Sequence, residues 1–141
     1  MSLSVERFYP FVVAVIGGAV AWKLSVPFPT SHNEFLAAAL SLGAVLTGFV
    51  ATAQAILMAL PSESVMGRLR TSGYIADLVN YIAEALYTGI AFCTINLVGF
   101  YLNPEHEKFV YYSPVWIALA LYSASTFIRV TRLMMRIMRS P

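Results

Sequence analysis

The sequence predicts an all-α fold, a polytopic membrane protein whose four transmembrane helices form an up-down bundle with both termini in the cytoplasm. Three observations carry this expectation. The 141 residues are 59% hydrophobic and 11% charged, with a mean hydropathy of +0.72, far from the balance of a soluble domain. Stretches free of Asp, Glu, Lys and Arg cover 8–22, 35–62, 85–103 and 109–128. The nine Lys and Arg residues divide unevenly among the segments between those stretches. A chain of this length has room for one compact unit, so 1–141 reads as a single transmembrane domain with spans at about 8–26, 35–60, 75–102 and 113–138.

The first charge-free stretch is short for a bilayer that takes roughly 20 helical residues to cross. The stem of Lys23 can snorkel to the interface, and Leu24 and Val26 extend the apolar run. Ala19-Val20-Ala21 also resembles a signal-peptide cleavage site, but Glu6 offsets Arg7 and Pro10 interrupts the start, which favours a retained span. Ala14, Gly17, Gly18 and Ala21 make two overlapping small-xxx-small pairs. The second span adds Gly43/Thr47, Gly48/Thr52, Ala51/Ala55 and Ala55/Ala59. Small residues let backbones approach closely in lipid, so these two spans are expected to pack tightly together. A small face left over offers a seam for a homo-oligomer.

The third helix is expected to begin near Ile75, after Gly73. Asp77, Asn80, Glu84, Tyr87 or Thr88, Ala91 and Thr94 recur at steps of three and four, which places them on one face. The lone Cys93 falls in mid-span, where it serves as a small packing residue. The fourth helix carries Arg129, Arg132, Arg136 and Arg139 at steps of three, four and three, with Val130, Leu133, Met134, Ile137 and Met138 between them. A short link makes the last two spans an antiparallel hairpin. At about 1.5 Å per residue, Glu84 lies roughly 10 Å deeper than Asp77, and Arg129 lies deeper than Arg136 by the same amount. Depth therefore matches Glu84 with Arg129 and Asp77 with Arg136, while anionic lipid headgroups offer the arginines a second destination.

Arg7, Arg68, Arg70, Arg129, Arg132, Arg136 and Arg139 fall on one side of the four spans, and Lys23 and Lys108 on the other. The positive-inside rule puts the first group in the cytoplasm of a bacterial cell, with the spans in its inner membrane. Trp22, Tyr101, Tyr111, Tyr112 and Trp116 lie at the opposite ends of the spans, where amphipathic rings prefer the headgroup region. The outward loops, 27–34 and 103–113, are too short to form an external domain.

Gln54, Asn96, Thr47, Thr52 and Thr94 could line a polar path that ends at Glu84, or could form interhelical hydrogen bonds. Four helices rarely enclose a pore, so conduction would require several copies around an axis. Glu105-His106-Glu107 is the one place where a histidine stands between carboxylates, yet three adjacent loop residues do not fix a coordination geometry. No H-E-x-x-H, G-x-S-x-G, Walker or paired-cysteine pattern occurs. His32 and His106 fall outside while Ser62, Ser64 and Ser72 fall inside, so no Ser-His pair can form across the bilayer. The expectation is a non-enzymatic protein that takes no cofactor or metal and touches no nucleic acid directly.

The segment "PSESVMGRLRTSGY", 61–74, is the main cytoplasmic loop in this topology. Pro61 stops the second span, Ser62 or Ser64 can cap a short turn, and Gly73 allows the bend into the third helix. Glu63, Arg68 and Arg70 surround the apolar Val65, Met66 and Leu69, a composition suited to lying in the membrane interface. The longer run "TGFVATAQAILMALPSESVMGRLRTSGYIADLVNY" resembles a pattern in small four-span bacterial membrane proteins, through Gly48, Phe49, Ser62, Arg68, Leu69, Arg70, Ser72 and Gly73. Some such proteins belong to phage-defence systems, and the Kiwa membrane subunit family is the architectural comparison. That family works with a cytoplasmic, DNA-associated partner, so the resemblance implies a partner-dependent sensor, anchor or effector.

These readings converge on Glu63, Arg68, Arg70, Gly73, Arg132, Arg136 and Arg139 as the surface that docks a cytoplasmic protein partner or lipid. Gln54, Asp77, Glu84, Asn96 and Arg129 are the intramembrane polar and ion-pairing set. An oligomeric pore or small transporter subunit built on Glu84, Gln54 and Asn96 is the alternative.

Overall fold

The computed structural model describes residues 3–59, 74–102 and 109–139. They form four helices: α1 (Leu3–Lys23), α2 (His32–Ala59), α3 (Tyr74–Tyr101) and α4 (Phe109–Arg139). Segments His32–Ile56, Asp77–Tyr101 and Tyr111–Arg136 are each long and apolar enough to cross a membrane. Much of their apolar surface points outward, as does that of Phe8, Phe11, Val15, Ile16 and Trp22 on α1. A lipid-facing surface has this character, because the solvent there is itself hydrocarbon.

Helix α1 stops at Lys23 and does not continue to residue 26. Ser25 adopts φ 46°, the Ser25 N–H donates to the Trp22 carbonyl at 3.1 Å, and the Val26 N–H donates to the Ala21 carbonyl at 3.1 Å. That pair of bonds is a Schellman closure with serine in the left-handed position that glycine usually fills. At the start of α2, Ser31 and Glu34 have capping-box spacing, and the Ser31 carbonyl accepts the Phe35 N–H at 3.1 Å.

The helices pack as an open row in the order α1, α4, α3, α2. Residue pairs across each seam run in opposite directions: Gly17 meets Leu121 while Trp22 meets Tyr111, and Gly43 meets Phe92 while Gly99 meets Leu36. Across α3 and α4, Asn96 bonds to Trp116 and Glu84 to Arg129. All three packed pairs are therefore antiparallel.

This order corrects the expectation that the first two spans pack on each other. The glycines of α1 face α4, where a side chain on Gly17 would run into Leu121 and a Cβ on Gly18 would lie 2.9 Å from the Ala118 Cβ. Gly43 of α2 instead receives Phe92 of α3, and Gly89 of α3 receives Thr47 of α2. Gly17, Gly43 and Gly89 are each matched by a larger side chain on the facing helix, which yields more dispersion contact than two small faces pressed together, while Gly18 lets Ala118 approach closely. Gly48 has nothing within 4 Å of its would-be Cβ, so among the described residues the outer small stripe of α2 is left open at this position.

A buried cluster of Val50, Leu78, Tyr81, Ile82, Ala85, Val130 and Leu133 joins α2, α3 and α4 near the arginine-bearing end of α4. Beside it, an apolar groove of about 480 Å3 runs over α3 between α2 and α4, with Leu42, Leu46, Phe92, Leu121 and Phe127 among its walls.

Candidate functional site

The α3–α4 seam arranges several polar side chains of the spans in successive layers. At the end near the 24–31 turn, the Trp116 indole N–H donates to Asn96 Oδ1 at 3.0 Å, and the Asn96 amide donates to the Phe92 carbonyl at 2.6 Å. Asn96 has no exposed surface, so these bonds offset the cost of removing its amide from water. Phe28, Phe35 and Phe92 surround Trp116 with ring centroids 5.0–5.8 Å away. The Tyr112 hydroxyl donates to the Ile95 carbonyl at 2.8 Å, and Ser113 donates to the Val26 carbonyl at 2.9 Å. This end is closed and aromatic.

The middle layer is a 3.0 Å hydrogen bond between the hydroxyls of Thr88 and Thr126, both buried. Each threonine hydroxyl also has a carbonyl of its own helix within reach, Ala85 and Ser123 respectively.

The layer beyond is charged. Arg129 Nη2 donates to Glu84 Oε2 at 2.7 Å, and the Tyr122 hydroxyl donates to the other carboxylate oxygen at 2.8 Å. Tyr122 and Arg129 stand two turns apart on α4 and converge on one carboxylate from either side, an arrangement only long side chains permit. The Arg129 guanidinium lies 4.2 Å above the Tyr81 ring, in cation–π contact. Arg129 is 7% exposed and Glu84 31%, so the cation is the more deeply embedded partner.

Outside this pair, Tyr9 of α1, Tyr81 of α3 and Arg129, Arg132 and Arg136 of α4 border a cavity of about 150 Å3, with Ile128 and Leu133 also in its lining. Arg132 and Arg136 are exposed. Three helices thus contribute to one basic recess. Among the described residues, no group of three or more His, Cys, Asp or Glu is placed to hold a metal ion.

The sequence-derived candidates fall into separate places. Glu84, Asn96 and Arg129 lie on the α3–α4 seam. Gln54 is half-buried on α2 and takes no part in the bonds of that seam. Asp77 is exposed, and its depth match with Arg136 does not appear among the ion pairs of the described residues. The polar row of α3 splits: Thr88 turns inward, whereas Asn80, Tyr87, Ala91 and Thr94 face outward, Thr94 donating to its own Ile90 carbonyl at 2.9 Å. Thr47 and Thr52 likewise bond back to Gly43 and Gly48. Glu63, Arg68, Arg70 and Gly73, together with Glu105 and His106 and the Arg139 side chain, lie outside the described residues.

Sequence reasoning missed Tyr9, Tyr81, Tyr122, Trp116 and Thr126. A usable signal existed for two of them, since Tyr122 precedes Arg129 by seven residues and Tyr81 precedes Glu84 by three, helical spacings that put each on its neighbour's face. Compared with protein families, curated proteins and solved structures, the chain finds no match.

Proposed function

We propose that the chain is a non-enzymatic, four-span up-down protein of the bacterial inner membrane that anchors a soluble partner at its cytoplasmic face. In this reading α1 is the fourth span, both termini are cytoplasmic, and the basic end of α4 is part of the docking surface together with the 61–74 loop. One observation carries it: Glu84 and Asn96 are bonded inside one protomer, to Arg129, Tyr122 and Trp116, while Arg132 and Arg136 stand exposed beyond them at one end. A polar path for ions would need those carboxylate and amide groups turned toward a lumen, and they are turned toward α4 instead. The resemblance to phage-defence membrane subunits supplies a candidate process for the partner to serve.

Reporter fusions and proteoliposomes test this together. Fusions after residue 139 and within 61–73 are expected to report the cytoplasm, and fusions within 103–108 the opposite compartment. Proteoliposomes are expected to pass ions no faster than empty vesicles. A flux that disappears in Glu84→Ala would overturn the anchoring reading in favour of the pore.

A further inference from the structure

We infer that the recess between α1, α3 and α4 is a binding site for a phosphate-class oxyanion, seated between Arg129 and Arg132 with Tyr9 and Tyr81 at its sides. The inference deepens the anchoring reading and rests on it only for where the anion comes from: at a membrane surface, a phospholipid headgroup supplies this group, and in the cytoplasm free phosphate does.

The charge arrangement is the first support. Arg129 is balanced by Glu84 at 2.7 Å, whereas Arg132, one turn further on the same face, forms no ion pair among the described residues. Among the described residues Arg132 therefore adds to the recess a cation beyond the Arg129–Glu84 pair, beside a bilayer where charge is costly unless matched. An oxyanion supplies that match, and guanidinium groups bind phosphate with two parallel N–H···O bonds.

Shape and preorganisation are the second support. The cavity of about 150 Å3 has room for several waters and therefore for a small tetrahedral anion. Arg129 is already fixed by Glu84 on one side and the Tyr81 ring on the other, so little side-chain freedom remains to be lost on binding. The phenols of Tyr9 and Tyr81 add hydroxyl groups that can donate, as the arginines do, and tyrosine suits a position with one apolar side and one wet side. Because Tyr9, Tyr81 and the arginines come from α1, α3 and α4, an anion here would tie together three of the four helices.

The test uses the purified full chain in a neutral detergent. Native mass spectrometry with added phosphatidylglycerol or phosphatidylcholine counts retained lipid, and titration with inorganic phosphate asks whether the free anion binds and displaces it. Phosphatidylglycerol is expected to be retained in preference to phosphatidylcholine. Arg132→Gln is expected to weaken retention about tenfold, the loss of one charge-assisted contact of roughly 1.4 kcal/mol. Arg132→Lys, which keeps the charge and loses the fork, should recover only part of it. Lys23→Gln removes the same charge at the far end of α1 and should change nothing.

Retained lipid that phosphate does not displace identifies a headgroup site, and displacement by phosphate at comparable occupancy identifies a free-anion site. Either supports the recess. Binding of neither probe, or an equal loss in Lys23→Gln and Arg132→Gln, overturns it, and both results leave topology and ion flux to be judged by their own measurements.

Discussion

The two ends of the α3–α4 seam solve the same problem in different ways. At the Asn96 end, a neutral amide is fully buried, bonded to Trp116 and to its own helix, and walled in by Phe28, Phe35 and Phe92. At the Glu84 end, a carboxylate and a guanidinium share the seam with a phenol, and the surrounding space opens into a basic recess. Neutral hydrogen-bonding groups can be closed off once their few bonds are made. A charged pair retains a demand for solvation that geometry reduces but does not remove, so it lies where water or headgroups can reach one side of it. The difference teaches that polarity in these spans is graded, from a closed neutral layer at one end to a charged, open one at the other.

The largest effect that breaks this contrast is expected from Glu84→Ala. Removing the carboxylate leaves Arg129, 7% exposed, without its 2.7 Å partner and costs Tyr122 an acceptor. Losing one member of a buried pair typically costs about 3–5 kcal/mol. The partial exposure of Glu84 allows water to replace some of what is lost, which points to the lower end of that range. Thermal unfolding in detergent measures it. The exchanged pair, Glu84→Arg with Arg129→Glu, should recover a large part of the loss seen in either single change, and no recovery would show that the two side chains are not coupled.

Asn96→Leu breaks the closed end more gently. Leucine shares the branching and heavy-atom count of asparagine and suits the aromatic surroundings, so the main polar cost falls on the Trp116 indole N–H, which loses its acceptor at 3.0 Å. Interhelical hydrogen bonds in membranes average about 0.6 kcal/mol and reach roughly 1.7. A loss of about 1–2 kcal/mol is expected, with a shift in Trp116 emission that Glu84→Ala does not produce. An effect as large as that of Glu84→Ala would erase the distinction between the ends.

The contrast also marks what was legible in the sequence. Charge-free stretches locate the helices because hydrocarbon excludes unpaired charge, and three of the four meet the length and apolarity that crossing requires. The seven-residue register relating Glu84 to Asp77 and Arg129 to Arg136 is a matter of helix rise alone, and the side chains of Glu84 and Arg129 do meet. The same register does not tell which pair closes, because exposed Asp77 has water as an alternative and half-buried Glu84 has less of it. Helix partners were not legible either. A small-xxx-small stripe identifies a face that admits a neighbour and carries no mark of which neighbour, and Gly17 and Gly18 received Leu121 and Ala118 of α4. The tyrosines of the recess carried no such mark, because it takes three helices to bring Tyr9 and Tyr81 beside the arginines.

Ser25→Gly is the smallest change and sharpens the closed end instead of breaking it. Ser25 holds φ 46°, a left-handed conformation that clashes with a Cβ and that glycine adopts without penalty. The turn it closes sets the Val26 carbonyl where Ser113 donates to it at 2.9 Å and leads the chain to Phe28, whose ring packs at 5.3 Å from Tyr112. Relieving the turn should therefore tighten this end, by about 0.5–1 kcal/mol after the greater entropy loss of glycine is deducted. Unfolding in detergent should register the gain, and Ser25→Ala, which keeps the Cβ, should show none. The gain should persist in an Asn96→Leu background if the turn and the Asn96–Trp116 bond act independently, although Phe28 packs on both Tyr112 and Trp116. A gain that vanishes there would instead make the aromatic end one cooperative unit, in which the turn stabilises the seam only while the Trp116 bond is intact.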